Sequence, residues 1–379
     1  MLKMKKNLLV LAVAMALPLA AQADVKVGVI VGETGPGASL GIPYKNAFSV
    51  MPKTLGGEPV HYIIVDDHTD TSQAVKQARK LIEQDKVDLV IGSSSVPTCI
   101  AVAEVAQELK TPQIALSPSP ITPDKNPWMY SVPQPMNIAM KPIVENMKKH
   151  GIKKVAYLGF SDSWGDLVLS GFNHNIKGSD ITVVANERYA RNDTSVAGQV
   201  LKLIASKPDA ILLGGSGTPA ALPHATLRER GYKGPIYNNP AIINNDFLRV
   251  GGKSVEGAYA VTGPVMVAEQ LPDSNPIKKV AMDFTQAYEK AYGPGTRNAF
   301  SAYSWDAYLL ADQAVAAAVK KAKPGTPEFR SALRDALEAS KEVVGTHAVY
   351  NMSKTDHTGV DDRSSVLVQI ENGKWKLIK

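Results

Sequence analysis

"VKVGVIVGETGPGASLG" (Val25 to Gly41) joins a β-branched apolar run to a loop with glycines at Gly32, Gly35, Gly37 and Gly41. A dinucleotide-binding βαβ unit begins the same way, its glycines allowing a tight turn and close backbone approach to phosphate. Asp66, at the end of the next apolar run, stands where a ribose-binding acid would. The match fails in detail. The glycines read G-P-G-A-S-L-G, Leu40 occupies the third glycine position, and Pro36 removes a backbone N–H that a pyrophosphate needs. The stretch therefore opens a parallel α/β lobe but holds no nucleotide, and no cofactor or metal is expected. Its glycines instead predict a thin, flexible lip that turns Ala38, Ser39 and Leu40 toward a bound solute.

The same rhythm runs outward from this point. Apolar runs bounded by Gly, Pro or Asp read as buried parallel strands at 25–31, 61–66, 87–92 and 112–117. Between them lie helical periods at 71–84, opened by the capping pair Asp70 and Gln73, and at 98–109. The prolines of "YSVPQP" (130–135) interrupt the pattern and mark a crossover. Strands then return at 154–160, 181–187, 209–215 and 234–239, alternating with helices at 165–177, 196–205 and 219–230. Long helices follow at 276–292, 301–321 and 327–340. The C-terminal stretch is a hairpin turning at Asn372-Gly373. The fold expected is α/β, two Rossmann-like lobes with a ligand cleft between them.

The first residues point to export. Lys3, Lys5 and Lys6 precede the apolar "NLLVLAVAMALPLA", and Ala21-Gln22-Ala23 supplies a small-x-small cleavage pattern, so residues 1–23 read as a signal peptide. Their removal takes away three lysines and no acid, lowering the formal charge from +6 to +3. That weak charge, without runs of one sign, argues against nucleic acid or a membrane surface as partner. The single cysteine, Cys99, allows no intrachain disulfide, and the seven histidines show no zinc-site spacing.

In open α/β sheets ligands sit beyond the carboxyl ends of the strands. "GSSSVPT" (92–98) brings four hydroxyls, among them Ser94, Ser95 and Thr98, to a helix start suited to an anion; capping alone would explain one of them. "SPSPITP" (117–123) offers Ser117 and Ser119 on a stiff loop that is either a ligand wall or a plain turn. "FSDSWGD" (160–166) sets Trp164 at a helix start, as a cleft wall or as core of its own lobe. "GGSGTP" (214–219) and "YNNPA" (237–241) complete the rim. "GGSGT" lacks the final glycine of a nucleophile elbow, and no nucleophile–base pair appears, so no enzyme activity is expected.

Together, "TGPGASLG", "DDHTDTSQAVKQARKLI", "VIGSSS", "PQIALSPS", "WGD", "SWDAYLLADQAV" and the terminal hairpin resemble the class I periplasmic solute-binding proteins of ABC importers, in particular the branched-chain amino-acid (Leu/Ile/Val-type) group. The resemblance implies three crossovers, with 24–134 plus 264–343 in one lobe and 135–263 plus 344–379 in the other. It implies a periplasmic monomer that closes on a small solute and docks on an inner-membrane permease. Ligand contacts would fall on Ser39, Leu40, Ser94, Ser95, Thr98, Ser117, Ser119 and Trp164, and further on Ser216, Asn239 and Tyr303. The serines and threonines would hold a carboxylate, docked first on that lobe, and the rest of the ligand would recruit the second lobe.

Two departures bear on the cargo. Amino-acid-binding members carry an acid near the position of "YNNPA", where this chain has none before Asp246; a tyrosine of the opening loop is Leu40 here, and a tyrosine-rich loop is "GGSGTP". The expected ligand is therefore an organic acid without an α-amino group, aromatic or phenylalkyl. A hydrophobic amino acid, or a sensor subunit of the same fold, are the alternatives.

Overall fold

The computed structural model describes residues 24–378, and the expected signal peptide lies outside them. The chain begins with β1 (Val25–Val31), α1 (Ala38–Ala47), β2 (Thr54–Leu55), β3 (Glu58–Asp66), α2 (Thr71–Arg79), β4 (Leu89–Gly92), α3 (Val96–Glu108), β5 (Gln113–Ala115) and β6 (Met129–Ser131). It continues through α4 (Met136–Ala139), α5 (Lys141–Lys149), β7 (Lys154–Phe160), α6 (Ser163–Ile176), β8 (Thr182–Tyr189), α7 (Ala197–Ala205), β9 (Ala210–Gly214) and α8 (Ala221–Glu229). Next come β10 (Ile236–Asn238), α9 (Asn245–Gly251), β11 (Tyr259–Thr262), α10 (Pro276–Tyr292), α11 (Ala299–Ala318) and α12 (Pro327–Glu338). Short β12 (Val343–Val344) and β13 (Val349–Tyr350) precede the hairpin of β14 (Val366–Glu371) and β15 (Lys374–Leu377).

The strands form a six-stranded sheet ordered β2-β3-β1-β4-β5-β6 and a seven-stranded sheet ordered β15-β14-β11-β10-β9-β7-β8. Apart from β2 and the hairpin they run parallel, with Val29 opposite Ile91 in the first sheet and Tyr157 opposite Leu212 in the second. Such strands are apolar on both faces because helices cover both; β1 is buried at every residue except Lys26. Each order reverses direction once, between β1 and β4 and between β7 and β9, which leaves a crevice beyond the strand ends at those two points.

Three passages join the lobes. The first runs through Pro133, Gln134 and Pro135 after β6, the second through Gly263 and Pro264 after β11, and the third through Asp361–Ser365 before β14. The last comes later than the expected boundary at 344. Ala348, Tyr350, Met352 and Val360 are buried in the core around β1, while Val349 between them packs on the second core, which the chain rejoins at Val366 and Leu367. The hairpin docks on β11, with Tyr259 opposite Gln369.

The glycine loop is not a flexible lip. Ala38, Ser39 and Leu40 form the first turn of α1, which packs so tightly on its own approach that a Cβ on Gly41 would lie 1.9 Å from the Gly32 carbonyl oxygen. Asp66 fastens the loop from outside, its Oδ1 accepting the Glu33 N–H at 2.9 Å and the His68 N–H at 2.8 Å.

Candidate functional site

Both crevices open onto one cleft cavity between the lobes. The first lobe contributes Leu40 and Tyr44 from α1, Ser94–Val96 from the β4–α3 junction, Leu116–Pro118 beyond β5, and Phe300 and Tyr303 from α11. Pro133 and Gln134 enter from the first passage. Trp164 from the start of α6, Arg191 beyond β8, Ser216 beyond β9, and Pro240 and Ala241 beyond β10 close the second lobe's side.

At the first crevice the Gly32 N–H donates to Ser94 Oγ at 2.8 Å, tying the loop after β1 to the loop after β4. Behind Ser94 the hydroxyls form a directed chain. Ser93 donates to the buried carboxylate of Asp67, and Thr98 donates to Ser93 at 2.9 Å. The Ser95 and Thr98 hydroxyls lie 2.7 Å apart, and Thr98 also reaches the Ser95 carbonyl at 3.1 Å, so either hydroxyl of the pair can donate to the other. Burial pushes the Asp67 carboxyl up, and the hydrogen bonds from Ser93 and from the Thr69 backbone pull against that. Ser95 precedes the first residue of α3 but makes no capping bond with its side chain.

At the second crevice Trp164 Nε1 donates to the Gly215 carbonyl at 3.2 Å. The ring lines the cavity and also packs within the second lobe's core. Asp162 caps α6, its Oδ1 accepting the Trp164 N–H at 2.9 Å, and its Oδ2 receives Arg191 Nε at 2.6 Å. Arg191 Nη1 donates to Ser216 Oγ at 2.9 Å, and the guanidinium lies 4.5 Å over the Phe160 ring. Across the cavity the Tyr44 hydroxyl donates to the Leu116 carbonyl at 2.5 Å, and that of Tyr303 to Gln134 Oε1 at 2.5 Å. The mouth is bridged between lobes where the Thr218 N–H donates to Ser39 Oγ at 3.1 Å.

Of the positions expected from the sequence, Leu40, Ser94, Ser95, Ser117, Trp164, Ser216 and Tyr303 line the cavity. The other four do not. Ser39 sits at the bridged mouth, and Thr98 stands behind Ser95 in the hydroxyl chain. Ser119 lines a separate groove and accepts from the Ile121 N–H at 2.9 Å. Asn239 is used by its own lobe, donating to the carbonyls of Leu213 and Gly215 and accepting from the Ala241 N–H. Sequence reasoning missed Arg191, although it lies past the end of β8 and the strand-end rule that found Ser216 applies to it equally. It missed Tyr44 because Gly41 and Pro43 disguised α1 as loop, and Phe300 because nothing local distinguishes that aromatic from core.

Two α/β lobes closing over a polar-and-aromatic cavity at both sheet reversals define a protein that captures a small solute by closure. A family model described as periplasmic binding protein matches residues 24–374, and the chain belongs to that family. It is 25% identical over 337 residues, 85% of this chain and 86% of the relative, to the Leu/Ile/Val-binding protein BraC3 of Rhizobium johnstonii. A solved extracellular ligand-binding receptor of Rhodopseudomonas palustris HaA2 is 45% identical with a TM-score of 0.92, covering 94% of this chain and all of that one. A solute-binding protein of an R. palustris ABC transporter, solved in complex with benzoate, shares the fold at 20% identity and a TM-score of 0.75, covering 94% and 96% of the two chains. The family and fold are those of non-enzymatic, periplasmic solute-binding proteins that work with ABC permeases. No helix among the described residues is long and apolar enough to cross a membrane.

Proposed function

We propose that this chain delivers to its permease a small organic acid lacking an α-amino group, of aromatic or phenylalkyl type. One observation carries the reading: the cavity lining includes a cation, Arg191, and no carboxylate. An ammonium group taken into such a cleft would lose its hydration with no counter-charge, which is costly. Asp246, the first acid after "YNNPA", is exposed on α9 and paired with Arg249 at 2.8 Å. The walls built by Leu40, Tyr44, Trp164, Phe300 and Tyr303 suit a flat apolar body, and a protein of the same fold holds benzoate.

A hydrophobic amino acid is the second reading, favoured by relatives named for leucine, isoleucine and valine. Titration calorimetry with benzoate, cinnamate and leucine separates the two. Micromolar or tighter binding of an aromatic acid with weak or absent leucine binding is expected; the reverse order overturns the proposal.

A further inference from the structure

We propose that Arg191 is the residue that receives the ligand's carboxylate, so that the second lobe supplies the charge recognition that the neutral hydroxyls of the first lobe lack. This rests on the reading of the cargo as an organic acid.

The donor inventory on the two sides of the cavity differs. On the first lobe the Ser93 proton runs inward to Asp67 and the Thr98 hydroxyl bonds to Ser93 and Ser95. The hydroxyls that remain to face a ligand there, Ser94 and Ser117, are neutral and single donors, and the Ser94 oxygen already accepts from Gly32.

Arg191 is the opposite case. A guanidinium has five N–H donors. One goes to Asp162 and one to Ser216, so three on the terminal nitrogens have no acceptor among the described residues. The side chain is 15% exposed, too enclosed for water to serve all three freely. It is also held in place before any ligand arrives. Asp162 grips it from one side while capping α6, the Phe160 ring supports its face, and Ser216 fixes a terminal nitrogen. A preoriented planar fork in a closed cleft matches a carboxylate better than scattered hydroxyls do. The same Asp162 accepts the Trp164 backbone N–H, so the charge and the segment carrying an aromatic wall are tied to one residue.

Charge-selective binding tests this. Cinnamate and its neutral amide, cinnamamide, are titrated against the wild type, Arg191→Gln, Arg191→Lys and Ser94→Ala, with circular dichroism and melting curves to check folding. The wild type is expected to prefer the acid. Arg191→Gln should weaken cinnamate about 10- to 100-fold and leave cinnamamide within a few-fold, erasing the preference. Arg191→Lys should keep part of it, and Ser94→Ala should weaken both ligands alike. Erasure of the preference by Ser94→Ala, or its survival in Arg191→Gln, overturns the assignment while leaving the organic-acid reading intact. A wild type that takes leucine and neither cinnamate nor benzoate overturns the reading and the assignment together. Should Arg191→Gln not fold, the arginine side-chain ¹⁵N resonance of the wild type, assigned by its absence in Arg191→Lys, decides instead. It must shift with cinnamate and not with cinnamamide, and no shift overturns the assignment.

Discussion

At the scale of single residues, Thr98 shows how a position can be picked for one reason and matter for another. Its hydroxyl was expected on the ligand; it links Ser95 to Ser93 and, through Ser93, to Asp67. Thr98→Ala should therefore lower stability by about 1–3 kcal/mol, the cost of leaving buried partners unsatisfied, while ligand affinity changes by less. Urea unfolding beside calorimetry measures both, and a large affinity loss at unchanged stability would return Thr98 to the ligand. Residue types at strand ends were legible as polar and cleft-facing. Which proton goes where was not, because a hydroxyl's direction depends on partners such as Asp67 that lie far away in sequence.

At the scale of elements, local chemistry was read well where periodicity and caps agree. β1, β7 and α10 have the expected bounds, and Asp70 caps α2 by accepting the Gln73 N–H at 2.8 Å. Asp70→Ala should cost about 1 kcal/mol, seen as a lowered urea midpoint, and no change would show that packing alone sets where α2 starts. α1 was hidden because Gly41 and Pro43 are poor helix formers. Gly41 is held by its close approach to Gly32, and Pro43, inside the helix, costs α1 one backbone hydrogen bond that packing must offset. Here packing against the preceding loop overrode propensity.

At the scale of the whole molecule, the lobes meet at the cleft mouth and at the passages between them. Gly217 has φ of 60°, and a Cβ there would lie 2.6 Å from Ser39 Oγ and 2.7 Å from Leu40 Cδ1 on the opposite lobe. Gly217→Ala should hinder closure and weaken ligand binding about tenfold or more, with loss of the compaction that ligand induces in small-angle scattering. Unchanged affinity would mean that the mouth does not close this tightly. At the passages Asp306 accepts from the Thr346 N–H and hydroxyl, the His347 N–H and the Tyr350 hydroxyl, while His347 stacks on the cavity-lining Tyr303 with ring centres 3.7 Å apart.

Burial sets acid sensitivity at His347 here and at His224 on α8 of the second lobe. It holds His347 down to about 3 and His224 to about 4, both below the ordinary 6.5, so their contribution is present at neutral pH and lost as pH falls below about 6.5. Burial also raises Asp306 to about 6 from 3.8, which opposes that loss between those values. The two histidines predict a urea midpoint that drops between pH 7 and pH 4.5 against the opposing pull of Asp306, Asp67 and Asp88, all raised by burial, and His347→Gln should flatten the drop. A midpoint that rises over that range would contradict it.

The sequence by itself determined two parallel α/β lobes, the crossover at the prolines of 130–135, and the strand ends that line the cleft. Those follow from apolar period, turn residues and caps, all interactions over a few neighbours. Only the tertiary structure decided that α1 replaces a loop, that Thr98 stands behind Ser95 in the hydroxyl chain to Asp67, and that Arg191, clamped by Asp162 and Ser216, lines the cavity. These depend on contacts between segments tens of residues apart, where packing and the pairing of buried polar groups outweigh local preference.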